Sequence, residues 1–369
     1  MFTGRKVPIK KVVLLGVLKD KEEIDVKEMA GLVEALGGEV VGSLFQKRKS
    51  FHPATYVGKG KLEELKRIAE FKGADTVVVY HNISPSQIRN IEMMTGLEVL
   101  DRSEIIIEIF AKRAKTKEAK VQVELARCYH LLSRLRGKGK ELSRLGGGIG
   151  TRGPGEKKVE IDLRTIRRKI YKLQKEIEKF SKRKKLVLDS RKRKGFITVA
   201  VTGYTNVGKS TLVRKLTGEE LFIKDMPFAT LDTKTGSIFL KNAGKKVLIT
   251  DTVGFIKDIP HELIASFKAT LQEVAEADII VVVYDVTSPS LKEESETVEK
   301  ILSELGASGK PRITVINKID KTFLNREEIM LDVAGHIKNC ENPVFLSAVS
   351  GEGIEEFLRK IESVVSTFL

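Results

Sequence analysis

The chain has 369 residues, of which 41% are hydrophobic, and a formal net charge of +16, so two or three domains with separate cores are expected. No uninterrupted apolar run reaches the roughly 18 residues of a membrane span, and Met1 to Pro8 lack the hydrophobic core of a signal peptide, so membrane-spanning and secreted classes are excluded and a cytoplasmic protein is expected. Cys128 and Cys340 are the only cysteines and the five histidines lack ligand spacing, which excludes a disulfide framework and a Cys/His metal cluster.

Residues 1–100 are predicted to form a small α/β domain with a mainly parallel sheet, because short apolar strands alternate with amphipathic helical patterns. The strands are predicted at 12–18, 39–45 and 76–80, and the helices at 26–36, 62–71 and 86–95. This part contains no glycine signature for phosphate binding. We therefore expect it to be a docking module.

Residues 101–194 are predicted to be helical and strongly basic. They hold 30 Lys and Arg against 12 Asp and Glu, whereas the rest of the chain holds 36 against 38. Helices are predicted at 102–115, 117–135 and 156–193, and the spacing of apolar residues in the last is typical of a long helical hairpin. The clusters Lys182 to Lys185 and Arg191 to Lys194 lack matching acids, which favours binding of a polyanion through its phosphates over a solvated helix face.

A glycine-rich loop is predicted at 146–156, where six of eleven residues are glycine. Two interpretations stay open. The loop could be a flexible helix connection. Alternatively, its bare backbone could lie against a nucleic-acid backbone or enter a partner's active centre, which its place in the basic segment favours.

Residues 195–369 are predicted to form a P-loop GTPase domain with a mixed, mostly parallel sheet and helices on both faces. Residues 203–210 read Gly-Tyr-Thr-Asn-Val-Gly-Lys-Ser, between an apolar strand and a helical pattern, which is the phosphate-binding loop in its required context. The predicted nucleotide contacts here are Gly203, Tyr204, Thr205, Asn206, Val207, Gly208, Lys209, Ser210 and Thr211. Lys209 is expected to span the β and γ phosphates, and Ser210 to hold Mg²⁺.

Two later segments are predicted to sense the γ-phosphate. The first lies in a polar stretch around Thr230, whose hydroxyl is a predicted Mg²⁺ ligand. The second follows a buried strand that ends on Asp251, a third predicted metal ligand, and continues through Thr252 and Val253 to Gly254, whose N–H is expected to meet the γ-phosphate.

Guanine is predicted to be recognised by Asn317, Lys318 and Asp320, which follow an apolar strand, and by Ser347 and Ala348. The Asp320 carboxylate can accept both N–H donors of the guanine edge, whereas adenine has no matching pair. The nucleotides expected are therefore GTP and GDP.

The predicted catalytic residues are Lys209, Thr230, Gly254 and Asn206. Phe255 stands where Ras-type GTPases have the glutamine that orients water, so slow intrinsic hydrolysis is expected. A partner surface could restore this function, or a K⁺ ion held by Asn206 could. The other interpretation of Asn206 is a loop residue that bonds its own backbone.

Four stretches together resemble the HflX family of ribosome-associated GTPases. They are 53–61, 117–126, 147–156 and the switch sequence Phe228, Ala229, Thr230, Leu231 and Asp232. The resemblance implies that these switch residues and the positions named above form the nucleotide site. It also implies a cytosolic partner of the large ribosomal subunit and its rRNA, stimulated by that subunit, which separates stalled ribosomes and is monomeric off the ribosome.

The sequence departs from the family pattern at two places that bear on function. Lys157, Lys158 and Val159 replace the Thr-Gln-Leu that often follows the glycine loop, and Thr233 stands where proline is frequent. An extra C-terminal domain of some relatives is expected to be absent. Two alternatives to ribosome splitting remain: a GTP-controlled rRNA-binding assembly factor or RNA chaperone, and an adaptor with little turnover.

Overall fold

The protein is represented by a computed structural model that describes residues 9–19, 25–145, 154–218, 227–228, 233–257 and 271–368. For 136–145 and 154–159 it describes the backbone only. The predicted positions Ala229, Thr230, Leu231 and Asp232, and loop residues 146–153, lie outside the described residues. The chain divides into two compact units. The second includes the short segment Arg113–Ala119 and begins again at Ile177, so that one boundary crosses a long helix between Glu176 and Ile177.

The first unit is built on a parallel sheet in the order β2-β1-β3-β4. Its strands are β1 (Lys11–Leu18), β2 (Glu39–Lys47), β3 (Thr76–Val79) and β4 (Glu98–Leu100), and its helices between them are α1 (Val26–Leu36), α2 (Lys59–Lys72) and α3 (Pro85–Thr95). The sheet and α2 and α3 share a core that includes Val13, Leu65 and Ile91. The predicted α/β domain is confirmed, with β4 as a strand that the sequence did not indicate.

Three helices follow the first sheet: α4 (Arg102–Arg113), α5 (Lys117–Leu145) and α6 (Pro154–Arg193). Within the first unit Lys169 of α6 forms an ion pair with Glu124 of α5, and Gln174 donates to the Tyr129 hydroxyl at 2.7 Å. Eight connecting residues span at most about 28 Å, too little for parallel helices with these contacts. The pair is therefore an antiparallel hairpin, as predicted.

The ends of the hairpin helices differ from the predicted bounds. Helix α5 continues to Leu145, ten residues beyond the predicted end at Leu135. Helix α6 begins at Pro154 rather than Glu156, because proline suits the first helical position. The last three residues of the predicted glycine-rich loop, 154–156, are thus helical.

The second unit has a mixed sheet in the order β10-β9-β8-β5-β7-β6. Its strands are β5 (Ile197–Gly203), β6 (Lys234–Leu240), β7 (Lys245–Asp251), β8 (Ile279–Asp285), β9 (Arg312–Asn317) and β10 (Val344–Phe345), and β6 alone among them runs antiparallel to its neighbour. The helices that we label here are α7 (Lys209–Thr217), α8 (Leu291–Glu304), α9 (Arg326–His336) and α10 (Ile354–Ser366). Residues 271–276 are also helical.

Helices pack on both faces of this second sheet. Ile280, Val282 and Tyr284 of β8 share a core with α8 and α9. Because side chains alternate along a strand, Val281 and Val283 face the other side, and both are fully buried. Within the described residues no helix combines the length and apolarity that crossing a bilayer requires. The predicted P-loop GTPase fold is confirmed.

Candidate functional site

The site lies where the parallel strands of the second sheet end. Strand β5 is central and runs into the loop 204–208, which leads directly into α7. This is the edge at which open α/β sheets bind ligands. The backbone N–H groups and the positive end of the α7 dipole make the start of this helix suitable for phosphates.

Gly208, just before α7, allows a close approach between the phosphate loop and the predicted base-binding segment. Its φ is +96°, and an added Cβ would lie 2.3 Å from Asn317 Nδ2. A side chain at 208 would therefore both strain the backbone and displace Asn317. The sequence motif requires glycine here for packing as well as for the turn.

Lys209 is the buried cation of the site, with 6% of its surface exposed. Its Nζ donates to the carbonyl oxygens of Gly203, at 3.2 Å, and Tyr204, at 2.5 Å. Burial lowers the pKa of Lys209 to about 8, while the carboxylates of Asp251 and Glu294 raise this pKa and Lys318 lowers it further. The amine is thus held beneath the loop, where phosphate charge would restore its proton affinity.

Ser210 and Asp251 meet as hard oxygen donors. The Ser210 hydroxyl donates to Asp251 Oδ2 at 2.7 Å, and only 1% of Asp251 is exposed. A hydroxyl and a carboxylate oxygen side by side are the ligands that Mg²⁺ prefers, so these residues fit the predicted metal. Thr230, the third predicted ligand, lies outside the described residues.

Gly254 brings the segment after Asp251 onto the phosphate loop. An added Cβ at Gly254 would lie 2.9 Å from Lys209 Nζ and 3.0 Å from Thr205 Cα. The neighbouring backbone is paired with the loop as well, because Thr205 N–H donates to the Phe255 carbonyl at 2.7 Å. The Phe255 side chain is 1% exposed and belongs to the hydrophobic core. It cannot orient a water molecule.

The other predicted residues of this segment and of the switch are buried where they are described. Thr252 Oγ1 donates to the Val201 carbonyl at 2.8 Å, and Val253 is buried next to it. Phe228 is 2% exposed and has a φ of +55°. Thr211, in the first turn of α7, is half-buried.

Asn206 is the exposed residue of the phosphate loop, between buried Thr205 and Val207. Its φ is +64°, a left-handed conformation that asparagine tolerates better than most residues. This backbone conformation gives a structural reason for asparagine at 206. Its exposed amide is equally available to a cation, so both interpretations remain.

Asn317 joins the predicted base site to the phosphate loop. Its amide nitrogen donates to the Val207 carbonyl at 2.7 Å, and its amide oxygen accepts from Ala348 N–H at 2.9 Å. Sequence reasoning assigned Asn317 to guanine alone and missed this structural role. The motif is short and common, and nothing in it indicates that its asparagine reaches a loop 110 residues earlier.

The remaining base-site residues surround Asn317. Lys318 has a φ of +66° and forms a 2.6 Å ion pair with Asp285 at the end of β8, a partner that the sequence did not indicate. Asp320 is exposed in a 3₁₀ turn, Ile319–Lys321. Ser347 is buried, and its hydroxyl accepts from Ser350 N–H at 3.1 Å.

Family models match consecutive parts of the chain. They are described as GTP-binding GTPase N-terminal over residues 23–111, GTP-binding GTPase Middle Region over 113–191, and 50S ribosome-binding GTPase over 198–318. The GTPase HflX of Caldanaerobacter subterraneus subsp. tengcongensis is 43% identical over 353 residues, covering 95% of this chain and 80% of that protein. The chain belongs to the HflX family.

A second HflX relative and a solved structure agree with this membership. The GTPase HflX of Escherichia coli K12 is 38% identical over 348 residues, which is 94% of this chain and 80% of that protein. The crystal structure of SsGBP with GDP is 28% identical, with a TM-score of 0.52 over 97% of this chain and 99% of that one. HflX membership makes the chain a guanine-nucleotide-binding GTP hydrolase with a GTPase domain of the ribosome-binding type.

A separate cluster of side chains lies in the first unit. Carboxylate and imidazole atoms of Asp101, Glu104 and His130 lie within 4.8 Å of one another. Burial raises the pKa of both Asp101 and Glu104, and the Arg134 guanidinium, which donates to Glu104 at 2.6 Å, lowers both. Arg134 therefore supplies positive charge to this cluster.

Proposed function

We propose that this HflX-family GTPase binds the large ribosomal subunit through its basic helical segment and uses GTP binding and hydrolysis to dissociate or rescue stalled ribosomes. The observation that carries the proposal is a dense, exposed set of cations on α6, on the same chain as a GTP site. The HflX membership adds the expectation of a ribosomal partner. We propose a monomeric, cytoplasmic protein when it is off the ribosome.

Within the described residues, the end of α6 presents more positive charge than its ion pairs neutralise. Lys182, Arg183 and Lys185 are exposed, as are Arg193 and Lys194. Lys184 and Lys192 are instead engaged in ion pairs with Glu273 and Glu276. Lysine and arginine on an exposed helix favour the phosphates of a folded RNA, and such contacts are sensitive to salt.

The phosphate loop supplies the chemistry of GTP hydrolysis in this proposal. Lys209 takes up the charge of the β and γ phosphates, and the Gly254 N–H donates to the γ-phosphate. Ser210 and Asp251, with Thr230, would hold Mg²⁺, which when bound neutralises charge on the phosphate oxygens. Asp320 selects guanine by accepting from its N–H edge.

Intrinsic hydrolysis is proposed to be slow, because Phe255 is buried and offers no hydrogen bond to the attacking water. A ribosomal surface that positions the attacking water would complete the site. GTP then favours the ribosome-competent arrangement of the segments around Thr230 and Gly254, and hydrolysis releases it.

Asn206 offers a second way to complete the site, through K⁺ bound to its exposed amide oxygen. Hydrolysis rates in KCl and NaCl decide between this role and that of a loop residue. Asn206→Gly retains the left-handed conformation but lacks the amide, so a potassium response that disappears in this variant assigns the cation to Asn206. Equal rates in the two salts would leave Asn206 as a loop residue.

The decisive experiment measures GTP hydrolysis by the full chain with purified large subunits, small subunits or neither. We expect stimulation by large subunits only. Sedimentation of intact ribosomes with the chain and GTP then separates splitting from the alternative, a GTP-controlled rRNA-binding assembly factor or RNA chaperone, because only splitting increases free subunits. No stimulation by either subunit would contradict the proposal.

A further inference from the structure

The carboxylate of Glu273 contacts two different parts of the second unit. Its Oε1 accepts from the Thr233 hydroxyl at 3.0 Å and forms an ion pair with Lys184 Nζ at 2.9 Å. Glu273 lies in the helical residues 271–276, and only 9% of its side chain is exposed. One buried carboxylate oxygen thus joins a hydroxyl and an ammonium group.

The partners of Glu273 lie next to segments with different predicted functions. Thr233 directly follows the predicted switch sequence 228–232. Glu273 lies 19 positions after Gly254, in the helix that follows the second predicted switch segment. Lys184 belongs to the basic cluster Lys182 to Lys185 of α6, and with 17% exposure it is more enclosed than Lys192, which pairs with Glu276 and is 44% exposed.

We propose that Glu273 is a positioning residue that couples the nucleotide-sensing segments to the basic end of α6 through Thr233 and Lys184. The role of α6 in binding RNA rests on the proposed function, whereas the coupling itself does not require it. When nucleotide shifts the position of Thr233, the hydrogen bond from its hydroxyl to Glu273 changes. The ion pair between Glu273 and Lys184 then changes as well, and this alters the end of α6.

The coupling also operates in the opposite direction, because linkage between two equilibria is reciprocal. A polyanion on Lys182 to Lys185 competes with Glu273 for the Lys184 ammonium. Glu273 is then held less firmly and constrains Thr233 less.

A neighbouring ion pair provides a matched control. Lys192 and Glu276 lie on the same two helical segments at 3.3 Å, but their side chains are 44% and 39% exposed. Such an exposed ion pair contributes little to the free energy of folding, and salt screens it. Both ion pairs join α6 to residues 271–276. The hydrogen bond from Thr233, however, is accepted by Glu273.

The test is hydrogen exchange of the amides of residues 177–193 in the full chain, with GDP or a non-hydrolysable GTP analogue at saturation. We expect the exchange rates in the wild-type chain to differ between the two nucleotides by about fivefold or more. Thr233→Val and Glu273→Gln should reduce this difference to within about twofold, whereas Glu276→Gln should retain it. Combining Thr233→Val with Lys184→Met should produce no further loss, because both act through one carboxylate.

Several results would overturn the coupling: no nucleotide-dependent exchange in wild type, equal losses in Glu276→Gln, or additive losses in the double variant. Unfolding midpoints and GDP affinity, measured for every variant, identify any loss of fold, and Thr233→Val serves if Glu273→Gln does not fold. Because this experiment contains no ribosome, its failure is distinct from a failure of large subunits to stimulate hydrolysis.

Discussion

At the scale of single residues, Lys209 is the group whose chemistry depends most on its surroundings. Its lowered pKa, about 8, means that the amine loses its proton within reach of neutral pH. The negative charge of a bound phosphate raises the pKa again, so binding takes up a proton above pH 8. Affinity should therefore be constant below this pKa and fall as pH rises through it.

We predict that GDP affinity decreases from pH 8 to pH 9 by up to about tenfold, the limit for one linked proton. Calorimetry in buffers of different ionisation enthalpy should detect the proton uptake. Lys215→Met, which removes an exposed lysine of the same helix, is the control and should keep the profile. A flat affinity across this range would show that Lys209 stays protonated.

The exposed carboxylate of Asp320 leads to a second prediction. Asp320→Asn replaces one acceptor with a donor, which no longer matches the N–H edge of guanine but does match the carbonyl of xanthine. We expect GTP affinity to fall by about 10²-fold or more and xanthosine triphosphate to become the better ligand. Competition binding with both nucleotides measures the change, with Asp332→Asn on α9 as control. Unchanged selectivity would place the base elsewhere.

At the scale of elements, α6 combines two kinds of contact. Ile166 and Ile170 are buried in the first unit, as the apolar spacing predicted, whereas the end of the helix exposes cations. Replacing Lys182, Arg183 and Lys185 with glutamine should weaken rRNA binding at low salt. It should also reduce the slope of log affinity against log salt by about 2 to 3, since each phosphate contact contributes about 0.7 to 0.9.

Lys241, Lys245 and Lys246 provide the control for this variant, because they are equally numerous and exposed at the turn between β6 and β7. Their replacement with glutamine changes the net charge by the same amount. An identical loss of slope in both triple variants would mean that α6 attracts RNA only through the overall charge of the chain.

Elements with strong local signals were predictable, and those defined by their neighbours were not. Strands β5, β7 and β9 are apolar runs next to motif residues, and their positions agree with the prediction. Strand β4 has three residues, too few for a periodic pattern. Strand β6 alternates buried Ile238 and Leu240 with Phe239, 64% exposed, and pairs with β7 across a short turn, but its first residues show no apolar pattern.

In the candidate site, too, residues in local motifs were predicted, whereas contacts between segments far apart in the sequence were not. The phosphate loop, Asp251 and Gly254 were found because each motif follows a recognisable strand. The contacts of Asn317 with Val207, Lys318 with Asp285 and Glu273 with Thr233 were not found. They depend on which distant segments become neighbours in the fold, and a single sequence contains no pattern that specifies this.

At the scale of the whole molecule, two compact units each have a hydrophobic core of their own, and nucleotide binds to the second. Saturation with GDP at about 100 times its dissociation constant should stabilise the second unit by about 2.7 kcal/mol. Hydrogen exchange of the most protected amides should show this gain in β5 and β8 but not in β1 and β3. ADP is the control, and an equal gain in both sheets would mean that the units unfold together.

The amide of Asn317 has one further consequence. Since its nitrogen donates to Val207 and its oxygen accepts from Ala348, a single side chain connects the proposed binding regions of the purine and the diphosphate. Guanosine and pyrophosphate, offered as separate molecules, should each bind more tightly when the other is already present. Binding of the base and binding of the phosphates would thus be cooperative.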